Sequence, residues 1–470
     1  MSRIKTVNGD FSEGKVSSAI LRIGLPMMAA EFVNVLYNLV DRMYIGHLAE
    51  TGTAALTGIG ICFPLITLIS AFASLCGTGG APLLSIARGQ GDDERAGRIQ
   101  ATSFTMLILI GLVLTLVLFP FAPALLRLLG GDDETLPFAV SYFRVYVLGS
   151  IPVLVTLGMN PFINAQGFSR VGMMTVIISA VINIVLDPIM IYVFNLGVTG
   201  AALATVIAQA AGALWVFLFL RGKRPPLRIT RLLIDREALK DIVRLGVTGF
   251  TFRMTNSVTQ AIVNVTLKAW GGALSTLYVG AMSLITSIRE FTSLPTSGIT
   301  NGAQPVMGFN YGAKKYARVS DAIRFTFVCS LVVNLIIWGG VMLVPGLLLR
   351  IFTDDEQLIT LASHCARIYF GVFPFMAMQM TGQNTFVALN YPRYALFFSL
   401  LRKVVLIAPL TLLLPNLGFG VDGVFWAEFF SQLFGASACF LTMRHVIWRK
   451  MKESPDGSAE MPLPNQPQKG

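Results

Sequence analysis

Apolar runs long enough to cross a bilayer recur along almost the whole chain, and this repetition restricts the fold more than any other feature. A helix rises about 1.5 Å per residue, so roughly 20 apolar residues span the hydrocarbon core. Twelve such runs fit: 18–46, 53–85, 97–120, 136–166, 169–194 and 197–220, then 241–268, 276–310, 318–345, 356–389, 393–414 and 421–447. Of 470 residues 54% are hydrophobic and 13% charged, so counting spans replaces dividing length by domain size. Lipid offers the backbone no hydrogen bonds, and the expectation is an all-α polytopic membrane protein. The net charge of +11 would suit nucleic acid. However, the Lys and Arg residues gather in short loops between spans, the pattern of cytoplasmic loops, and nucleic acid is excluded as a partner.

That pattern orients the chain. With an N-terminus inside, the loops holding Arg88, Arg95 and Arg98, then Arg170, then Lys314, Lys315 and Arg318, then Arg393 are cytoplasmic. Residues 1–17 lack a signal-peptide core and stay cytoplasmic with the disordered tail 449–470, as in a multi-pass protein of a bacterial-type inner membrane. Between the six-span lobes 18–220 and 241–448, residues 221–240 read as a basic linker carrying a surface helix. The lobes repeat. LLRLLGGDDE at Leu125 matches LLRIFTDDE at Leu348, and RIGL at Arg22 matches RLGV at Arg244, a shift of about 222 residues. Six spans per half make the repeats parallel, which places a substrate site between two lobes that rock about it.

No P-loop, dinucleotide fingerprint or HExxH is present, and the five cysteines show no ligand spacing. The chain is therefore expected to be no enzyme and to need no cofactor beyond a coupling ion, H+ or Na+. At membrane depth a charge costs about 2.5 to 3.5 kcal/mol on insertion scales, so acids there are candidates for function. Span 1 carries Pro26 and Glu31, with Asn34, Asn38 and Asp41 on one face at i, i+4 and i+7. Span 5 carries Asn183 and Asp187 at i, i+4, and span 6 offers Thr205 and Gln209. Shifted by the repeat, Asp41 lands near Val263 and Asp187 near Ala408, so both acids belong to the first half alone. Their distances from the outer rim place both some 8 to 11 Å deep, able to line one pocket. Carboxylates, amide oxygens and hydroxyls suit a proton relay, or a Na+ ion held by Asp41, Asp187 and Asn183. Two alternatives stay open: Asp41 paired with neighbouring Arg42, and Asp187-Pro188 as a mere helix breaker.

Other groups bear on a cleft. Glu31 and Arg253 occupy positions about 222 residues apart and could pair, with Glu290 a rival partner, while Arg402, Lys403 and Glu428 form a further cluster. Met27 and Met282 could contribute an adaptable apolar wall. Pro26, replaced in the repeat by Thr248, disposes only span 1 to bend and makes it a candidate conformational switch.

The stretches YNLVDRMYIGHL, NIVLDPIMIYVFNLGVTGAALATVIAQ and GAQPVMGFNYGAKKYAR, with the proline at position 26, resemble the multidrug and toxic compound extrusion (MATE) family, over roughly 20–448. The resemblance implies twelve transmembrane helices in two pseudo-symmetric six-helix lobes, the MOP-superfamily fold. It also implies a cation-coupled exporter of amphipathic, often cationic, small molecules, and the chain is expected to be monomeric. Within the family the chain is similar to the DinF-like branch, where the acids matched by Asp41 and Asp187 are coupling residues and the proline matched by Pro26 is associated with bending. NorM-like members also use acids on helices 7 and 10, where this chain has Arg253 and only Gln379, Gln383 and Asn384. The competing expectation is a flippase of the same superfamily for a lipid-linked or anionic glycan precursor, favoured by Arg253, Arg402 and Lys403.

Overall fold

A computed structural model describes residues 10–46 and 52–453, and no strand occurs among them. Among the described residues eight helices are long and apolar enough to cross a membrane, and two bent helix pairs add a span each. Two more helices, Arg236–Trp270 and Ser275–Gly312, are 35 and 38 residues long but fall outside that set. They are spans 7 and 8, and Asn, Gln, Thr, Ser and Arg side chains along them dilute their hydropathy. Twelve spans result.

Spans 1 to 3 are single helices, Val16–Gly46, Gly52–Gly89 and Asp93–Leu128. Span 4 is broken into Leu136–Leu148 and Ser150–Ala165, which meet at 60° around Gly149. A Cβ there would stand 2.5 Å from Val206, so the break is also a close approach to span 6. Span 5 is Ser169–Pro188 continued by a π-helical turn Ile189–Val193, and span 6 is Gly197–Arg221. Span 9 is Tyr316–Leu343. Span 10 breaks by 49° between Glu356–Tyr369 and Phe373–Ala388, where Gly371 and Pro374 interrupt the helix. Span 11 starts as Pro392–Leu400 and passes through a π-helical stretch Leu401–Ile407, and span 12 runs from Gly423 through a third one at Arg444–Trp448.

Contacts divide the chain into two units, and the divisions fall inside helices. One unit holds Ala29–Arg253; the other holds Phe11–Met28 together with the chain from Met254 onward. Glycines explain the partition. In the second unit the lower part of span 1 lies against span 8 so closely that a Cβ on Gly24 would sit 2.6 Å from Gly298 O, and one on Gly302 would sit 2.6 Å from Gly24 Cα. Gly298 and Gly302 form the small-xxx-small pattern that lets membrane helices touch backbone to backbone. In the first unit the lower part of span 7 does the same to span 2, where a Cβ on Gly246 would meet Leu75 O at 2.0 Å. Gly24 and Gly246 are 222 residues apart, so the two close contacts are copies of one another. The outer loops agree, with Arg127 donating to Asp133 at 3.3 Å and Arg350 to Glu356 at 2.6 Å, each six residues on.

The chain ahead of each closely packed helix is also tied down. Phe11 is buried at 1% exposure, its carbonyl accepting from Asn310 Nδ2 and Arg318 at 3.0 Å, with Arg318 also reaching Gly14 O. The linker is the counterpart, but it lacks the expected surface helix: residues 222–235 are irregular and helix resumes only at Arg236. Pro225 and Pro226 have no N–H to give a helix. The following amides go to side chains instead, Leu227 to Gln166, Leu233 to Thr105 and Asp235 to Thr102, each at 3.1 Å.

Candidate functional site

Asp187 is fully buried one residue before Pro188. The proline has no N–H for a bond back into the helix, and the span continues as the π-helical turn, with Phe194 N bonded to Ile189 O at 2.9 Å. A Cβ on Gly200 would stand 2.6 Å from Met190 O, so span 6 begins pressed against this turn and brings Thr205 level with Asn183. Asn183 donates from Nδ2 to Asp187 Oδ1 at 3.1 Å and to Thr205 Oγ1 at 3.4 Å, while the Thr205 hydroxyl spends its own proton on Ala201 O at 3.0 Å. Span 1 reaches the same place from outside. Tyr192 donates to Tyr44 O at 2.7 Å, which ties the outer ends of spans 1 and 5 together, and the Asp41 carboxyl lies within hydrogen-bonding reach of Asp187.

Two carboxyls in contact are a chemical statement, because a carboxylate only accepts: the contact is a hydrogen bond only when one of the two carries a proton. The surroundings supply acceptors and few donors. Asn183 Oδ1 and Gln209 Oε1 are buried and receive no hydrogen bond from any described residue, and Gln209 O already accepts from Thr156 Oγ1 at 3.0 Å. Such an arrangement can hold a proton, or a cation with oxygen ligands. Tyr142 of span 4, 5% exposed, lies close enough to feel the Asp41 charge, with Tyr37 and Tyr146 beside it. Sequence reasoning missed these phenols, since an aromatic in an apolar span reads as packing. The signal was their spacing: Tyr37 stands at i−4 from Asp41, and Tyr142 and Tyr146 stand i, i+4.

The MatE family model matches residues 26–189 and 254–413, two stretches of similar length at the repeat spacing. The chain belongs to the MatE family. Among curated relatives it is similar to the multidrug export protein MepA of Staphylococcus aureus, with 24% identity over 93% of this chain and 95% of that protein. Among solved structures it is similar to a MATE protein in complex with MaL6, with TM-score 0.89 and 24% identity over 96% of this chain and all of the other. A MATE protein in the bent conformation matches with TM-score 0.86 and 23% identity over 94% and 97% of the two chains.

The other singled-out residues of this MatE chain are dispersed. Asn34 is exposed two helical turns from Asp41, outside the acid cluster, and the Asn38 and Arg42 side chains lie outside the described residues. Glu31 lies within electrostatic reach of Arg253, and both belong to the first unit. Glu290 is exposed and acts on its neighbour Arg289. Met27 and Pro26 are half-buried, in a helix that runs unbroken through the proline. Met282, expected as part of an apolar wall, packs at 3% exposure in the core of the second unit. Arg402, Lys403 and Glu428 do come together, joined by Arg289 and Tyr369, which the sequence reading did not include.

Proposed function

We propose that this chain is a secondary antiporter of the DinF-like branch, exporting amphipathic and often cationic organic compounds in exchange for protons, with Asp41 and Asp187 holding the coupling proton. The contact between the two carboxyls carries the reading. It is favourable with one proton shared and strongly unfavourable with none, because two like charges in a dry site repel. Proton loss would push Asp41 away from Asp187 and strain span 1, and Pro26 stands just below the point, between Met28 and Ala29, where that helix passes from one unit to the other. Charge on the acid pair would thereby select between two shapes of span 1. A Na+ ion on Asp41, Asp187 and Asn183 is the competing occupant.

Membership of the family and the names of the multidrug export relatives support the substrate class. We further propose that the lobes 18–220 and 241–448 rock in one monomer, set in a bacterial-type inner membrane with both termini cytoplasmic. The test is efflux of a cationic dye from everted vesicles. Asp41→Asn and Asp187→Asn should each reduce gradient-driven transport to background while the protein still inserts; near-normal transport by both would refute the assignment.

A further inference from the structure

The second unit contains a buried group of charges with the opposite sign to the acid pair. Arg402 of span 11 pairs with Glu428 of span 12, and Arg289 of span 8 reaches the same carboxylate at 3.5 Å while donating to Tyr369 Oη at 2.5 Å. Lys403 is 6% exposed and close enough to interact with Glu428, Arg402 and Arg289, yet no described residue gives it a hydrogen bond or ion pair within 4 Å. Three cations therefore surround one carboxylate. Counting the exposed Glu290 beside Arg289 still leaves an excess of one positive charge.

Local geometry points the same way. Consecutive residues of an α-helix face directions 100° apart and rarely both point inward. Here Leu401–Ile407 is π-helical, and Arg402 and Lys403 are both buried, at 7% and 6% exposure. Long π stretches are costly and cluster at functional sites. Moreover, Arg402 Nε is buried without an acceptor, and Gln432 Nε2, one turn from Glu428 on the same face, is a second buried donor without one. The repeat does not require any of this. Ala180, Val181, Val206 and Thr67 stand 222 residues before Arg402, Lys403, Glu428 and Arg289. The cations, like the acids of the first half, are particular to their own half, and only Asp187 on span 5 and Arg402 and Lys403 on span 11 stand on equivalent spans.

An uncompensated positive charge inside a lobe is costly unless a counter-charge enters. We infer that Arg289, Arg402 and Lys403 form an anion site, taking a monovalent anion that bonds to the free donors of Arg402 and Lys403. The shared chemistry is a compact single negative charge, a planar carboxylate of an amphipathic organic acid or zwitterion, or chloride, and the bulkier three-oxygen sulfonate of isethionate serves as the reference anion. The site needs no coupling ion.

Thermal unfolding of the purified full-length protein tests it. Sodium benzoate and sodium chloride are titrated separately against sodium isethionate at matched ionic strength. The expected result is a saturable rise in Tm with benzoate or chloride, whichever source is right, and none with isethionate. Lys403→Gln should shift the half-effect concentration upward about tenfold, the loss of one charge-assisted contact. Asp187→Asn should leave it unchanged. Because Lys403→Gln could fail to fold, the double variant Arg402→Gln/Glu428→Gln, which removes the ion pair together, provides a second test with the same expected loss. Equal Tm in all three salts, or an undiminished effect in the Lys403 and double variants, would overturn the inference.

Discussion

At the residue scale the arrangement around Asp187 makes graded predictions. Asp187→Asn replaces one of two touching carboxyls by an amide that donates, so the contact survives without a shared proton. Its Tm should match wild type or exceed it, while transport is lost. Asn183→Leu removes the donor to Asp187 Oδ1 from a site with 2% exposure and should cost roughly 1 to 3 kcal/mol of stability, measurable by denaturation in detergent. A neutral Asn183→Leu would mean that this hydrogen bond does not hold the site. The acids were legible because charge inside an apolar run is conspicuous, and Asn183 because it stands one turn away. Tyr142 and Arg289 were not: a phenol hides among core aromatics, and Arg289 is masked by Glu290 beside it, which suggests a local pair.

At the element scale, close packing and helix breaks govern. Gly24→Val would force its side chain into Gly298 O and should destabilise by about 1 to 3 kcal/mol, whereas Gly60→Ala, with nothing within 4 Å, should be neutral or slightly stabilising. Equal Tm for the two variants would remove the glycine contact as the reason for span 1 lying on span 8. Pro26→Ala restores a backbone donor below the point where span 1 changes unit. It should slow turnover and leave dye binding within about twofold, read as separate transport and equilibrium-binding measurements. The twelve spans were legible from their apolar runs, including the two polar ones. The breaks at Gly149 and Gly371 were not, because a glycine inside a continuous apolar run gives no periodic signal. Nor were the π-helical stretches, which change register without changing composition.

Across the whole molecule the repeat was the most informative sequence feature, and the structure carries it down to the paired glycines 24 and 246 and the outer-loop ion pairs. What the repeat could not convey is that spans 1 and 7 each change unit partway along, since that depends on backbone contacts between helices distant in sequence. Its failures mark where buried charge differs between the halves: acids in the first, cations in the second, with only spans 5 and 11 equivalent. The most direct test is transport in proteoliposomes under separately imposed gradients, with dye and proton movement recorded together. The account predicts that an inward proton gradient alone drives dye exchange, that each dye exported returns protons, and that Asp41→Asn and Asp187→Asn abolish both fluxes. Dye movement driven by a Na+ gradient at uniform pH, with no accompanying proton flux, would contradict it.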